Sequence, residues 1–575
     1  MKKTLSYLKS YKKECILAPL FKLLEACFEL FVPLVIADII DIGISGGNKG
    51  YVWGRVGILA LLAVCGLAFA ITAQYFAAKA AVGFASKLRH ALFTRIQSLS
   101  YADTDKLGTS TLITRMTADV EQVQQGVNMV LRLLLRSPFV VFGAAIMAFT
   151  VDAKSAVTFA VTIPVMSAAV MTIMLITIPL YKKVQAKLDS LLGITRENLS
   201  GVRVIRAFRK ENAEYERFVS TNGDLTRSQK FVGRISALMN PLTYVLINCG
   251  VIALIWVGAL RVNSGTISQG QVVALYNYMS QILVELVKLA MLIITLTRAV
   301  ACAKRVDGVL TTENSMTENG DKEQKHTVIG GDVEFDGVEL TYPEAGAPSL
   351  SGVNFYAPSG STVGVIGGTG SGKTSLVNLI PRFYDVTKGC VKVGGTDVQK
   401  LDAETLRKDI GIVPQRAALF KGTIRSNLLW GKEDATDEEL WEALKTAQSE
   451  NVALDKGGLD AEVEQEGRNF SGGQRQRLTV ARAIVRKPKI LILDDSASAL
   501  DLKTDAALRE AISKLDYKPT VFIVSQRAAA VMNAQLIVVL DEGAVVGMGT
   551  HDELMKTCPA YEEIYSSQFK KEADR

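Results

Sequence analysis

The sequence predicts an all-helical domain of six membrane-spanning helices, followed by a soluble α/β domain. Three observations carry this. Long apolar runs dominate the chain up to about Val306, and after it charged residues and glycines are spread as in a soluble protein. In that second part, short strand-like runs alternate with helical stretches. Length agrees, because 575 residues exceed what one core normally organises. Apolar residues make up 49% of the chain and mean hydropathy is +0.22, averages that conceal the split.

The six apolar segments run Cys15–Asp41, Val56–Ala78, Leu133–Val151, Ser155–Tyr181, Leu242–Leu260 and Val272–Thr297. The second, fourth and fifth carry no charge over about twenty residues, enough to cross a hydrocarbon core of about 30 Å. Charged residues interrupt or border the other three. The first segment follows a basic N-terminus, like a signal peptide. It is too long for one and lacks a small-residue cleavage site, so it reads as a retained helix.

The connections alternate in length. Ile42–Arg55, Asp152–Lys154 and Arg261–Gln271 are short, whereas Lys79–Arg132 and Lys182–Pro241 are long, polar and basic. With a cytoplasmic N-terminus, both long connections fall inside. Lys2, Lys3, Lys9, Lys12 and Lys13 before the first segment, and Lys182, Lys183 and Lys187 after the fourth, fit that orientation. The formal net charge of +7 is therefore assigned to topology rather than to nucleic-acid binding. Apolar residues three and four apart through Ala85–Leu99 and Leu188–Phe208 make the long connections helical, so helices 2 to 5 should continue into the cytoplasm. Seven cysteines without a CxxC spacing, and three histidines, argue against a structural zinc site.

Ionisable residues lie in or beside these segments: Lys22, Glu25 and Glu29 in the first, Arg132 and Arg136 in the third, Glu285 and Lys288 in the sixth. Such charges are costly in a membrane and tend to face cavities. The plainer reading, preferred here, places them on cytoplasmic extensions or in local pairs such as Lys22–Glu25 and Glu285–Lys288. Glu285, about midway along its segment, is the best candidate to line a path.

The polar stretch Thr311–Thr327 reads as a linker. The expected organisation is a basic segment 1–13, a membrane domain 14–308, a linker 309–327 and a soluble domain 328–575. In the last, Val333–Phe335, Thr362–Ile366, Ile490–Leu493 and Thr520–Val524 read as strands.

Residues Gly367-Gly368-Thr369-Gly370-Ser371-Gly372-Lys373-Thr374 match G-x-x-x-x-G-K-[ST] directly after an apolar strand. Glycines let the backbone curl and aim its N–H groups at phosphate oxygens at a helix N-terminus. Lys373 would reach the β- and γ-phosphates, and the Thr374 hydroxyl would bind Mg²⁺; Ser375 follows in the same turn. The run Ile490-Leu491-Ile492-Leu493-Asp494-Asp495 is the expected companion, a buried strand ending in acids, with Asp494 holding Mg²⁺. Taken alone, a strand ending near Asp is weak evidence. Between the two motifs lies Phe470-Ser471-Gly472-Gly473-Gln474.

On these three motifs, in this order, the chain resembles the ATP-binding cassette (ABC) family, whose signature pentad is LSGGQ; Phe470 stands in for the leucine. The resemblance covers nearly the whole chain. Arg196–Phe208 is similar to a segment between helices 4 and 5 of ABC exporters. By resemblance, Tyr342 matches the aromatic that stacks on adenine. Gln415 matches the glutamine that contacts Mg²⁺ and senses the membrane domain, and Ser498-Ala499-Leu500-Asp501 matches the D-loop. ATP and Mg²⁺ are the implied cofactors.

Two positions depart from the family pattern. Its catalytic glutamate is here Asp495, one methylene shorter, and its switch histidine is here Gln526. A general base must come within about 3 Å of the attacking water, and glutamine cannot carry the histidine's charge. Together these changes resemble the degenerate site of heterodimeric ABC exporters. There, each ATP lies between one chain's P-loop and the other chain's signature. The resemblance then implies a second half-transporter as partner, a poor hydrolytic site on this chain's P-loop, and a signature lent to the partner's competent site. It implies export of drug-like, lipid or peptide cargo, and the compact form without a transit peptide suggests a prokaryotic cytoplasmic membrane. The alternative is a regulatory or channel-like ABC subunit without its own cargo.

Overall fold

The computed structural model describes residues 2–316, 330–343, 345–496 and 499–573. The expected linker lies largely outside the described residues. The chain divides into two compact units, one of Met1–Gln97 with Ser110–Thr312, the other of Ser98–Thr109 with Glu313–Arg575.

The first unit is helical. Its main elements are α1 (Lys12–Asp38), α2 (Lys49–Gln97), α3 (Val120–Leu133), α4 (Arg136–Val151), α5 (Ala153–Ser200), α6 (Glu211–Ala237), α7 (Met239–Asn263) and α8 (Gln269–Thr311). At 49 residues, α2 is about 74 Å long, more than twice a hydrocarbon core of about 30 Å. Apolar and polar-extension parts therefore share one continuous helix, as the periodicity of the long connections predicts. Leu61, Val64, Leu67 and Ile71 on α2 are all more than 60% exposed, an apolar face that lipid would cover.

Among the described residues, five stretches are long and apolar enough to cross a membrane: Lys49–Gln97, Thr109–Val151, Ala153–Ser200, Glu211–Asn263 and Gln269–Thr311. The first expected span, α1, is long enough at 27 residues, but Lys22, Glu25 and Glu29 lower its hydropathy. Those charges are paired: Lys22 with Glu25 at 2.5 Å, and Glu29 with Arg136 at 2.6 Å.

The third expected span is interrupted at Leu134–Leu135, between α3 and α4. Pro138 accounts for the break, because it has no N–H to donate and its ring excludes the carbonyl four residues back. Arg136 and Ser137 follow immediately and are buried. Helix packing is close: a Cβ on Gly126 would come within 2.3 Å of the Ala299 side chain. Fully buried Tyr278 donates its hydroxyl to the Leu30 carbonyl at 2.7 Å, tying α8 to α1.

The second unit contains β1 (Val333–Leu340), β2 (Leu350–Ala357), β3 (Thr362–Gly367), α9 (Lys373–Leu379), β4 (Lys388–Val393), β5 (Thr396–Asp397) and β6 (Ile410–Val413). After these come α10 (Gly472–Val485), β7 (Ile490–Asp494), α11 (Leu502–Ser513), β8 (Thr520–Ser525), β9 (Leu536–Asp541), β10 (Ala544–Gly549) and α12 (Pro559–Ala573). A six-stranded sheet has the order β10-β9-β3-β8-β7-β6, and a four-stranded antiparallel sheet the order β2-β1-β4-β5. In the larger sheet β7 and β8 are buried at every position, so their sequences are continuous apolar runs rather than alternating ones.

Parallel register brings the strand ends level. Ile366 pairs with Ser525, Val524 with Asp494, and Leu493 with Val413. Four loops therefore leave one edge of the sheet together, where ligands of open α/β sheets bind. This unit also takes in the short helix Tyr101–Leu107. Tyr101 stacks on Phe383 with centroids 4.3 Å apart, and the Tyr384 hydroxyl donates to Asp105 at 2.7 Å.

Candidate functional site

At that edge lies a cavity of about 460 Å³. From the loop after β3 it is lined by Thr369, Gly370, Gly372, Lys373, Thr374 and Ser375; from the neighbouring strand ends by Gln415, Asp494, Asp495 and Gln526. The P-loop, acidic strand, glutamine and switch position, spread over more than 150 residues of sequence, thus share one cavity.

The loop's geometry explains its glycines. Gly370 and Gly372 have φ of +83° and +92°, and a Cβ on Gly372 would sit 2.7 Å from the Ser349 carbonyl oxygen. Lys373, 8% exposed, turns its ammonium back over the loop. It donates to the carbonyls of Gly367 at 3.0 Å and Gly368 at 2.5 Å, and to Ser371 Oγ at 3.3 Å. Burial pushes the Lys373 ammonium below the usual lysine range, against the opposing pull of Asp495 and Asp494. Burial likewise pushes the Asp494 carboxyl up; Asp495 adds to the shift, and the Thr374 hydrogen bond and Lys373 oppose it.

The donor set fits Mg²⁺ with a nucleotide. Thr374 Oγ1 donates to Asp494 Oδ1 at 3.0 Å, placing two hard oxygens side by side below the loop. No group of three or more His, Cys, Asp or Glu side chains suited to a metal occurs among the described residues. A Mg²⁺ here would therefore take part of its shell from phosphate and water, as this ion prefers. Tyr342 is half-buried and donates its hydroxyl to Ser375 at 2.9 Å; its ring meets the edge of Tyr384 at 5.0 Å.

Asp495 follows the last residue of β7 with φ of +45°, a left-handed conformation that Asp tolerates better than most residues. Its N–H donates to the Val524 carbonyl at 3.0 Å. Its carboxylate accepts from Gln415 Nε2 at 3.3 Å, so the shortened side chain still faces the cavity. The exposed Gln526 is held through its backbone: its carbonyl accepts from Gln568 Nε2 at 2.8 Å, and Gln568 Oε1 accepts the Ala528 N–H at 2.9 Å.

The signature pentad lies elsewhere. None of Phe470, Ser471, Gly472, Gly473 and Gln474 lines the P-loop cavity. Ser471 caps the N-terminus of α10, its Oγ accepting from the Gln474 N–H at 3.3 Å while Gln474 Oε1 accepts the Ser471 N–H at 2.9 Å. This helix start, with Ser471 and Gly472 exposed, offers N–H groups and the positive end of a helix dipole to an anion. Phe470 is 4% exposed within the core, so aromatic replaces leucine at a packing position and not at a contact surface. Asp501 caps α11 through the Thr504 N–H at 2.9 Å. The D-loop's first residue, Ser498, lies outside the described residues.

Ser349, Glu542 and Gly543, which belong to no motif, also line the cavity. Glu542 and Gly543 both have positive φ and close the β9–β10 hairpin; a Glu-Gly pair between apolar runs was a legible turn signal. Its approach to the P-loop depends on β9 pairing with β3, which no local pattern reveals.

A family profile described as the ABC transporter transmembrane region matches residues 15–286, and one described as ABC transporter matches residues 350–498. An uncharacterized ABC transporter ATP-binding protein of Mycobacterium tuberculosis is 37% identical over 567 residues, covering 98% of this chain and 97% of that protein. YfiB of Bacillus subtilis, also an uncharacterized ABC transporter ATP-binding protein, is 37% identical over 573 residues, covering 100% and 99%. YgaD of Bacillus subtilis, a putative multidrug export ATP-binding/permease protein, is 30% identical, covering 99% of each chain. The solved structure of a bacterial Atm1-family ABC exporter with ATP bound shares the fold, with a TM-score of 0.81 at 22% identity over 97% of this chain and 98% of that one.

Proposed function

The chain belongs to the ABC transporter family as a multi-pass membrane protein carrying its ATPase unit, and from that premise we propose that it is an exporter subunit whose own ATP site is hydrolytically poor. Its partner is a second, different half-transporter that supplies the glutamate and histidine this chain lacks. Residues 14–308 act as the transmembrane domain, 328–575 as the nucleotide-binding domain, with 309–327 joining them and 1–13 cytoplasmic. Cargo is a small molecule of drug-like, lipid or peptide character, and the direction is outward, in keeping with YgaD, a putative multidrug export protein.

The observation that carries this reading is the division of the machinery within one chain. Phosphate-binding residues surround one cavity while the signature residues present an exposed helix N-terminus away from it. ATP-dependent closure of two such chains would complete each site from both. In this chain's site the P-loop N–H groups and Lys373 hold phosphate; Thr374, Asp494 and Gln415 hold Mg²⁺; and Tyr342 stacks on adenine. Bound Mg²⁺ supplies charge neutralisation on the phosphates. Asp495, where water would be activated, is one methylene short of the family's base, and Gln526 offers a neutral hydrogen bond in place of an imidazolium.

The test is ATP-dependent accumulation of a fluorescent dye in inverted vesicles containing this chain and a second half-transporter that has glutamate and histidine at the two departed positions. Accumulation that needs both chains supports the reading. Nucleotide-gated ion conductance without accumulation supports the regulatory or channel-like alternative.

A further inference from the structure

A cavity of about 300 Å³ lies within the membrane unit, between α1, α4 and α8. Along it runs a chain of four alternating charges, to which the Lys22–Glu25 pair is joined where Glu25 faces Arg136 at 4.0 Å. Arg136 Nη2 donates to Glu29 at 2.6 Å, Arg136 Nη1 donates to Glu285, and Lys288 Nζ donates to Glu285 at 2.8 Å. The two middle members are buried, with side chains 6% and 4% exposed for Arg136 and Glu285. The two ends are open, Glu29 at 46% and Lys288 at 40%.

Glu285 accepts three hydrogen bonds within the protein. Arg136 and Lys288 occupy one carboxylate oxygen, and the Ser137 hydroxyl donates to the other at 2.8 Å. The residue singled out from sequence therefore lines the cavity with most of its bonding capacity used inside the protein, and it sets the two ends in place. Glu29 engages Arg136 through Oε2, and an ammonium has three N–H donors. One end thus offers carboxylate to a cation, and the other offers N–H donors to an anion. Gln281 lines the same cavity with a buried side-chain carbonyl that has no partner, a further acceptor. Val32, Ile36 and Val284 supply the apolar wall.

We propose that this cavity binds zwitterionic amphiphiles, with the ligand's ammonium on Glu29 and its anionic group on Lys288. The four charges and the attached Lys22–Glu25 pair sum to zero, so a ligand of net charge would leave one end unanswered in a low-dielectric site, whereas a zwitterion answers both. Free peptides and lipids with ethanolamine headgroups share this chemistry. The inference rests on the transporter reading, since such a ligand would be cargo.

The experiment uses the two-chain complex in nanodiscs of anionic lipid and measures saturable binding of two zwitterionic probes, trileucine and lauroyl lysophosphatidylethanolamine. N-acetyl-trileucine, trileucine amide and N-acetylated lysolipid serve as end-blocked forms. A zwitterionic probe should bind at least tenfold more tightly than its blocked forms. Glu29→Gln should weaken it about tenfold and remove the penalty of N-acetylation. Lys288→Met should remove the penalty of amidation, and Glu29→Asp should keep the parental preference. A preference shown by trileucine alone identifies a peptide site, and one shown by the lysolipid alone identifies a headgroup site. Equal binding of blocked and unblocked forms, or no saturable binding of either probe, overturns the proposal. Basal ATPase of the unmodified complex in the same nanodiscs needs no cargo, so its absence would count against the transporter reading instead.

Discussion

Replacing Lys373 by alanine should weaken ATP binding by about 10- to 30-fold while leaving the chain folded. A hydrogen bond to a charged group contributes about 1.5–3 kcal/mol, which would span about 10- to 150-fold in Kd. The structure argues for the lower part of that range. The ammonium already donates to the Gly367 and Gly368 carbonyls and to Ser371 Oγ. A phosphate must therefore replace one of those bonds rather than fill an idle donor. The assay is titration of a fluorescent ATP analogue with Mg²⁺ against the full chain in nanodiscs, alongside Asp495→Asn. Asp495 lies beyond the phosphate cradle, 3.3 Å from Gln415 Nε2, so its variant should bind within about twofold of the parent, since one neutral-for-charged exchange at an exposed contact is worth little. A Lys373→Ala chain that binds as tightly as the parent, or an Asp495→Asn chain that loses as much as Lys373→Ala, refutes the assignment.

Other consequences concern separate parts of the molecule. The purified chain alone should hydrolyse ATP about 10²- to 10⁴-fold more slowly than the two-chain complex, the usual cost of a missing positioned base; steady-state phosphate release checks this, and equal turnover contradicts it. Gln568→Ala should lower the melting temperature by the equivalent of about 1–2 kcal/mol, because the Gln526 carbonyl and Ala528 N–H lose their shared partner, and should leave complex ATPase near parental; an unchanged melting temperature would show that this backbone holds itself. At the α4–α5 junction, burial disfavours the Asp152 charge, but hydrogen bonds from Arg261 and Ser155 outweigh it and hold the carboxyl at about 2. A depressed acid stabilises the fold above its unfolded value of about 3.9 and loses that stability as pH falls through about 2. Asp152→Asn, which can still cap the helix, should therefore lower the melting temperature at pH 7 by the equivalent of about 1–2 kcal/mol. The gap should narrow between pH 4 and 2 and should be unchanged between pH 6 and 8.

What the sequence made legible was local or periodic. Apolar runs located the membrane helices, and G-x-x-x-x-G-K-T after a strand located the phosphate loop, because the backbone conformations of Gly370 and Gly372 leave little chemical choice. The pairs Lys22–Glu25 and Glu285–Lys288 were readable from a spacing of three residues. Arg136 was not, because its partners Glu29 and Glu285 are 107 and 149 residues away and meet it only through packing of three helices. The same holds for Ser98–Thr109. Its sequence sits inside the membrane half, yet Tyr101 and Asp105 bond to Phe383 and Tyr384 of the second unit. Asp495 illustrates a third limit: its side-chain length was legible, but the left-handed turn that sets its carboxylate against Gln415 was not.

The central claim is that this chain lends its signature to a competent site and keeps a poor one. Steady-state ATPase of two complexes tests it, one carrying Ser471→Ala and the other Asp495→Asn, each with an unmodified partner. Ser471 also caps α10, so Ser471→Thr, which preserves cap and hydroxyl, serves as control. Removing a donor aimed at developing charge costs about 10² to 10³ in rate, so Ser471→Ala should nearly silence the complex while Ser471→Thr retains most of its activity. Asp495→Asn should stay close to the parental rate. If Asp495→Asn abolishes turnover and Ser471→Ala leaves it near parental, this chain's own site is the engine and the account is wrong.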